Sequence, residues 1–335
     1  MTDERIPLFD LKLPAESLKQ VQKVLASGWV NSGPRVAEFE KSIATLTGVR
    51  YAVAVNSATA GLQLALEALG AGPGREIITT PFTFAATAAA IVRTGAMPVF
   101  ADIDPGTLNI DPDEVARKVT PRTLCVLPVD IAGHPADYQE LTGICERRRL
   151  PLVADGAHSL GAVVGRKPVA QMADATVHSF QATKNLTTGD GGIVLSRHKI
   201  LTQRVRLLSQ HAMTASAYQR KTSQRWQYDI LAPGLKANLT DVHAAMGLGQ
   251  LPSFKKNQER RQTLARRYDR NLAELSDHVA CPVVKGGYRH AWHLYIVRLH
   301  LSRLRIGRNR FIALLSEAGI ECGVHYRPLF EMSFY

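Results

Sequence analysis

Cysteine is scarce and scattered in this chain. Cys125, Cys145, Cys281 and Cys322 form no Cys-x-x-Cys pair, and no histidine stands at a spacing suited to zinc. That pattern argues against a disulfide scaffold and against a bound metal, and it fits reduced thiols in a cytoplasmic protein. Long apolar runs are also missing. The longest candidate, Phe84 to Val92, is alanine-rich and falls far short of the roughly 20 residues that span a bilayer. The opening Met1-Thr2-Asp3-Glu4-Arg5-Ile6-Pro7 has no apolar core, so no secretory leader and no membrane partner are expected. Acidic residues are the minority charge, 29 against 41 basic, for a net +12. The surplus cations cluster at Arg147 to Arg149, Lys255-Lys256, Arg260-Arg261, Arg266-Arg267 and Arg303 to Arg310, mostly on predicted helices, where they read as solvated faces. No zinc finger, RNA-binding aromatic motif or basic heptad accompanies them, so nucleic acid is not an expected partner. A positive field does suit an anionic small molecule.

What remains is the make-up of a large globular enzyme: 335 residues, 45% hydrophobic and 21% charged, without repeats or low-complexity linkers. Helical periodicity covers residues 15–27 and 35–47, each ending at a glycine. Apolar strands and helices then alternate. Strands are expected at 51–55, 76–79, 97–102, 124–129 and 152–155, and helices at 58–69, 85–94 and 139–148. This alternation predicts an α/β fold whose sheet is mainly parallel and covered on both faces, with ligands beyond the carboxyl ends of the strands. Asn56, Phe84, Asp130 and Asp155 fall near those ends. A further strand is expected at 193–195, and a helix at 244–251 followed by a long basic helix from Pro252 to about 274. Beyond it come a strand at 292–299, a helix at 308–318 and a strand at 321–325. The reading therefore divides the chain into a large domain, 1–251, and a smaller C-terminal α/β domain, 252–335.

The most specific feature is a pair. Leu152-Val153-Ala154 delivers Asp155 at a strand end. Lys184 follows in the non-helical stretch Ser179-Phe180-Gln181-Ala182-Thr183-Lys184, which runs into Gly189-Asp190-Gly191-Gly192. Pyridoxal phosphate needs such a pair: an amine for the Schiff base, and a carboxylate that keeps the ring nitrogen protonated so that the ring acts as an electron sink. Strand-end carboxylates also cap helices, and lysines are usually surface charges, but a glycine-rich loop is an odd place for a solubilising lysine. Asn56-Ser57-Ala58-Thr59-Ala60-Gly61 joins a strand to a helix and suits a phosphate, with Ser179 as a further hydroxyl donor. Such turns are common for purely structural reasons as well. Phe84 offers a ring to stack on, or is simply core; His158 offers a second face or a hydrogen bond, or is structural.

The chain resembles the DegT/StrS-type sugar aminotransferases, fold-type I enzymes that use pyridoxal phosphate. The likeness runs through Gly28 to Pro34, Asn56 to Leu66, Thr80 to Thr87, Asp155 to Gly161 and Ser179 to Gly192. It continues through Gly234-Leu235-Lys236-Ala237-Asn238, Ala244 to Leu251, His290-Ala291-Trp292-His293 and Gly323-Val324-His325-Tyr326. The Gly-x-Lys-x-Asn and His-Ala-Trp-His blocks carry a closer similarity to the branch that makes 4-amino-4-deoxy-L-arabinose for lipid A. The resemblance implies a mainly parallel seven-stranded sheet and a homodimer with shared active sites. It implies Lys184 as the Schiff-base lysine, Asp155 on the ring nitrogen, Phe84 and His158 on the ring, and Ser57, Ala58, Thr59 and Ser179 on the phosphate. Asn238 would reach the cofactor of the other subunit, while Asn31, Ser32, Lys236, His325 and Tyr326 would face a nucleotide-linked keto sugar. Glutamate and 2-oxoglutarate would be the other partners.

The sequence departs from the family pattern at Gln181 (usually His or Tyr), at Asp190 (usually Glu), at Asp130-Ile131 and at Phe330 (commonly His), and its small domain is expected to be incomplete at Tyr335. Two other readings are a sugar dehydratase and a non-catalytic cofactor-binding regulator. In dehydratases of this type a histidine replaces the lysine, so Lys184 favours amine transfer.

Overall fold

A computed structural model describes residues 5–224 and 226–335. Its centre is a sheet of strands β1 (Tyr51–Val55), β2 (Glu76–Thr79), β3 (Met97–Phe100), β4 (Thr123–Leu127), β5 (Val153–Asp155), β6 (Ala175–Ser179) and β7 (Gly192–Ser196). Regular pairing gives two parts, β1-β7-β6-β5 and β3-β2-β4. Parallel bridges Val126–Leu152 and Val129–Asp155 join β4 to β5 and complete the expected seven strands. All neighbours run parallel except β7, which is antiparallel to both β1 and β6.

Alternation along the strands explains the layers, since successive side chains point to opposite faces. Val53, Val55, Val153 and Val177 enter one core with α3 (Ala58–Ala68), α4 (Ala85–Arg93) and α7 (Lys199–Leu208). Ile78, Val126 and Ala154 enter a second with α5 (Pro112–Lys118) and α6 (Tyr138–Arg148). Ala54, Ile193 and Leu195 enter a third with α2 (Pro34–Thr47), α9 (Asp241–Leu248) and α10 (Leu251–Leu272). Helix α1 (Ala15–Ala26) lies on α9, and the short α8 (Ala217–Ser223) is mostly exposed.

Strand β6 and helices α5, α7 and α8 are additional to the elements expected from the sequence, and the helix expected from residue 244 begins earlier, as α9 at Asp241. Beyond α10, the two strands expected at 292–299 and 321–325 do not form as such. Only Arg298–Leu299 of the segment 292–299 pairs as a strand, with Val279–Ala280. Trp292 sits at φ 50°, in the left-handed region, so the chain bends away from extended geometry there. The backbone groups flanking it are used elsewhere: Ala291 N–H donates to Gly133 O at 2.8 Å and Leu294 N–H to Ala132 O at 3.1 Å. Residues 321–325 form no strand either; the neighbouring Ile320 makes an isolated bridge with Ile6. Helix α11 (Arg308–Glu317) follows expectation.

Candidate active site

The parallel strands end at one edge of the sheet, and β7, running the other way, begins there. Val55, Gly192 and Ser179 therefore lie side by side across three strands. Ser57 caps α3 at this edge, accepting from Ala60 N–H at 3.1 Å. A Cβ on Gly192 would come within 2.6 Å of Ala58 N, so only glycine lets β7 start this close to the helix N-terminus. The result is a helix N-terminus with Ser57 at its cap, Thr59 exposed on its first turn and Ser179 two strands away on the same edge, an arrangement that suits an anion.

Asp155 closes β5 and is buried. Its Oδ2 accepts from the Thr87 hydroxyl at 2.7 Å and its Oδ1 from Ala157 N–H at 3.1 Å. Burial pushes this carboxyl above the usual range, opposed by Thr87, by Ala157 and by the charge of Lys184. Thr87, in the first turn of α4, is held in turn by Thr83 at 2.8 Å. Thr87 is a site residue beyond those expected from the sequence. Its signal in the sequence is its place in the first turn of the helix that Phe84 precedes.

Lys184 lies in the excursion between β6 and β7. Gln181 shapes that excursion: its Oε1 accepts from Thr183 N–H at 2.9 Å and from the Thr183 hydroxyl at 2.6 Å. Partial burial lowers the Lys184 amine to about 8, with Asp155 pulling the other way. Its Nζ stands 3.4 Å from His293 Nε2.

His158 is buried, and its Nδ1 accepts from Ala132 N–H at 3.2 Å. Its ring proton therefore sits on Nε2, which faces the Tyr326 hydroxyl at 3.3 Å. Burial, reinforced by His293, Lys184, His325 and His290, holds His158 neutral. Phe84 is 60% exposed, with its ring centroid 6.0 Å from that of Tyr326. Leu329 N–H donates to Pro81 O at 2.8 Å and ties the C-terminal segment to the Phe84 loop.

Lys184, Asp155, His158, Phe84, His325 and Tyr326 thus form one group. Asn31, Ser32, Lys236 and Asn238 form another: Asn238 Nδ2 donates to Ser32 Oγ at 2.5 Å and to Asn31 Oδ1 at 3.3 Å, and its Oδ1 accepts from Lys236 Nζ. This second group joins the sheet edge through Asn56, whose N–H donates to Ala237 O at 2.7 Å. Among the described residues no hydrogen bond links the two groups directly. Asp130, flagged only as a departure, is fully buried and accepts from Tyr138 Oη and Ala136 N–H, both at 2.9 Å, and from Ser159 Oγ at 2.6 Å. Phe330 is exposed.

A buried acid, a depressed amine and an anion-ready helix terminus at one sheet edge are what a phosphorylated pyridine aldehyde requires. The model of the DegT/DnrJ/EryC1/StrS aminotransferase family matches residues 12–335. The chain belongs to that family. This aminotransferase is 41% identical to the spore coat polysaccharide biosynthesis protein SpsC of Bacillus subtilis (strain 168) over 322 residues, which is 96% of this chain and 82% of SpsC. It superposes on Spr1654 of Streptococcus pneumoniae in its PLP form with TM-score 0.91 and 31% identity, covering 99% of this chain and 87% of the other. It also superposes on DesI, solved in the presence of its TDP-sugar product, with TM-score 0.89 and 32% identity, covering 99% and 82% of the two chains. The aminotransferase uses pyridoxal phosphate, and the residues just described fit that cofactor.

Proposed function

We propose that this aminotransferase moves the amino group of L-glutamate onto a keto group, at the 4-position, of a nucleotide-linked sugar. Glutamate leaves as 2-oxoglutarate and the sugar leaves as its amino derivative. The observation that carries the reading is the placement of a partly buried Lys184 in the loop between Ser179 and Gly192, at the sheet edge where buried Asp155 closes β5; burial lowers the amine to about 8. A base poised near neutral pH suits proton transfer in both directions. The sugar half of the proposal is supported by the polysaccharide role named for SpsC and by the TDP-sugar product of DesI.

Bound pyridoxal phosphate supplies the electron sink that acidifies the carbon bearing the amine. Asp155 would hold the proton on the ring nitrogen, with Thr87 and Ala157 N–H fixing the direction of the carboxylate. Ser57, Ala58, Thr59 and Ser179 would bind the phosphate. Phe84 and His158 would bound the ring. Lys184 Nζ would take the proton from the α-carbon of glutamate and deliver a proton to the sugar carbon in the reverse sense. His325, Tyr326, Asn31, Ser32 and Lys236 would bind the sugar nucleotide. Asn238 would reach the cofactor of a second subunit, making a homodimer with shared sites; its separate grouping with Asn31 and Ser32 supports this reading.

Retention of Lys184 favours amine transfer over a dehydratase. The test is to bleach the holoenzyme with glutamate, then offer a panel of 3-keto and 4-keto nucleotide sugars and weigh the products. Amine gain by a 4-keto sugar is expected. Bleaching followed by no amine gain on any sugar would overturn the sugar assignment, and failure to bleach with glutamate would overturn the donor.

A further inference from the structure

The His290-Ala291-Trp292-His293 block marks the sequence, yet none of the roles assigned so far uses it. In the fold it is strapped to the lysine excursion. The Asn185 side-chain amide, next to Lys184, donates to Ala291 O at 2.8 Å, and Arg261 of α10 donates to Trp292 O at 3.0 Å. His290 stacks on Trp292 with centroids 4.0 Å apart and planes at 9°, and its Nδ1 accepts from Trp292 N–H at 2.8 Å. These contacts immobilise the backbone that carries His293. The His293 ring then lies between two site residues: Nε2 faces Lys184 Nζ at 3.4 Å, and its centroid is 4.5 Å from that of His158. Nδ1 is buried without a hydrogen-bond partner among the described residues.

We propose that His293 is a positioning residue for Lys184: its imidazole, braced by His158, accepts through Nε2 from the lysine amine and sets the direction in which that amine works. This rests on the assignment of Lys184 as the proton-transferring amine. A free amine on four rotatable bonds samples many directions, and a fixed acceptor removes most of them. The acceptor must be uncharged, because an imidazolium would repel a lysine ammonium. Burial holds His293 neutral, with Lys184, Arg261, His325 and His290 acting in the same sense. Around Lys184 the charged and titratable groups are Asp155 at the end of β5, His158 after it, His293 in the strapped segment, and His325 and Tyr326 in the C-terminal segment. Of these, His293 alone makes a hydrogen bond to Nζ among the described residues.

Glutamine places an acceptor near the position of a histidine Nε2, asparagine near that of Nδ1, and phenylalanine keeps the ring without either nitrogen. His293→Gln, His293→Asn and His293→Phe therefore separate the acceptor from the packing. The first readout needs no cofactor: pulse-label the cofactor-free protein with cyanate across pH and follow carbamylation of the Lys184 peptide by mass spectrometry. Loss of the acceptor removes a partner of the ammonium form, so the Lys184 midpoint should fall by about one pH unit in His293→Phe and His293→Asn and stay in place in His293→Gln. With cofactor and glutamate, His293→Phe and His293→Asn should lose roughly tenfold in kcat, with the amino-donor KM within about twofold and the kcat–pH profile displaced. His293→Gln should keep most of the activity. A midpoint that does not move in His293→Phe, or a loss in His293→Gln as large as in His293→Phe, overturns the proposal. Failure of the Lys184 assignment would register separately, as borohydride reduction of the holoenzyme fixing the cofactor to another lysine.

Discussion

The Thr87 hydroxyl donates a 2.7 Å hydrogen bond to Asp155 Oδ2, and both side chains are buried. The bond connects the first turn of α4 to the end of β5, so the carboxylate keeps one orientation. It also offsets part of the burial that drives the Asp155 carboxyl upward. Thr87→Val preserves shape and removes the donor, leaving a buried carboxylate with one partner fewer. The expected outcome is a loss of about 1–3 kcal/mol in stability and about tenfold weaker cofactor binding, read by thermal denaturation and by fluorescence titration with pyridoxal phosphate.

Gly192→Ala should damage the anion end of the site. Its Cβ would stand 2.6 Å from Ala58 N and 2.7 Å from Ser57 C, and backbone atoms cannot rotate aside. A shift of β7 away from α3, a destabilisation of about 1–3 kcal/mol and weaker binding of inorganic phosphate to the cofactor-free protein are expected. Calorimetric titration with phosphate checks the last point, and retained affinity would detach the anion site from this glycine.

Lys184→Ala should abolish turnover, by at least about a thousandfold, because both imine formation and proton transfer lose their amine. The variant should still bind pyridoxal phosphate through Asp155 and the helix terminus. Stopped-flow absorbance with glutamate would show no conversion on the time scale of the parent enzyme, whereas near-normal cycling would remove Lys184 from the mechanism.

Asp130 predicts a stability that depends on pH. Burial raises its carboxyl to about 6, although Ser159, Ala136 and Tyr138 donate to it. The folded value thus lies above the roughly 4 of an unfolded aspartate. The group's contribution is complete below about pH 4 and is lost as pH rises through about 6, a change of about 2–3 kcal/mol. Asp130→Asn has no charge to bury, so urea denaturation of the variant at pH 4 to 7 should lack this slope. A slope equal to that of the parent protein would place the titration elsewhere.

The sheet was legible because short, continuous apolar runs alternate with helical segments from residue 51 to residue 155. Strand β6, Ala175–Ser179, was not, because its polar Thr176, His178 and Ser179 mask a segment that is buried throughout. The segment 292–299 looked like a strand because its aromatic and β-branched residues favour one. Its bend at Trp292 and its ties to Gly133 and Ala132 are tertiary facts that local pattern does not carry. The same gap hid His293: the block was conspicuous in the sequence, but its approach to Lys184 depends on a strap between distant segments. Asp155 and Lys184 were readable because strand-end and glycine-rich settings are local.

Ser179 and Gly192 face each other across β6 and β7, so the lysine excursion leaves the sheet and returns at neighbouring points. Its two ends are pinned by the same ladder, and the cost of closing it is met by local hairpin pairing. The amine is therefore mounted like a clip on two buried, paired strands of the central sheet. A change of length or sequence in the segments around the clip leaves its two anchor points, Ser179 and Gly192, held by the same ladder.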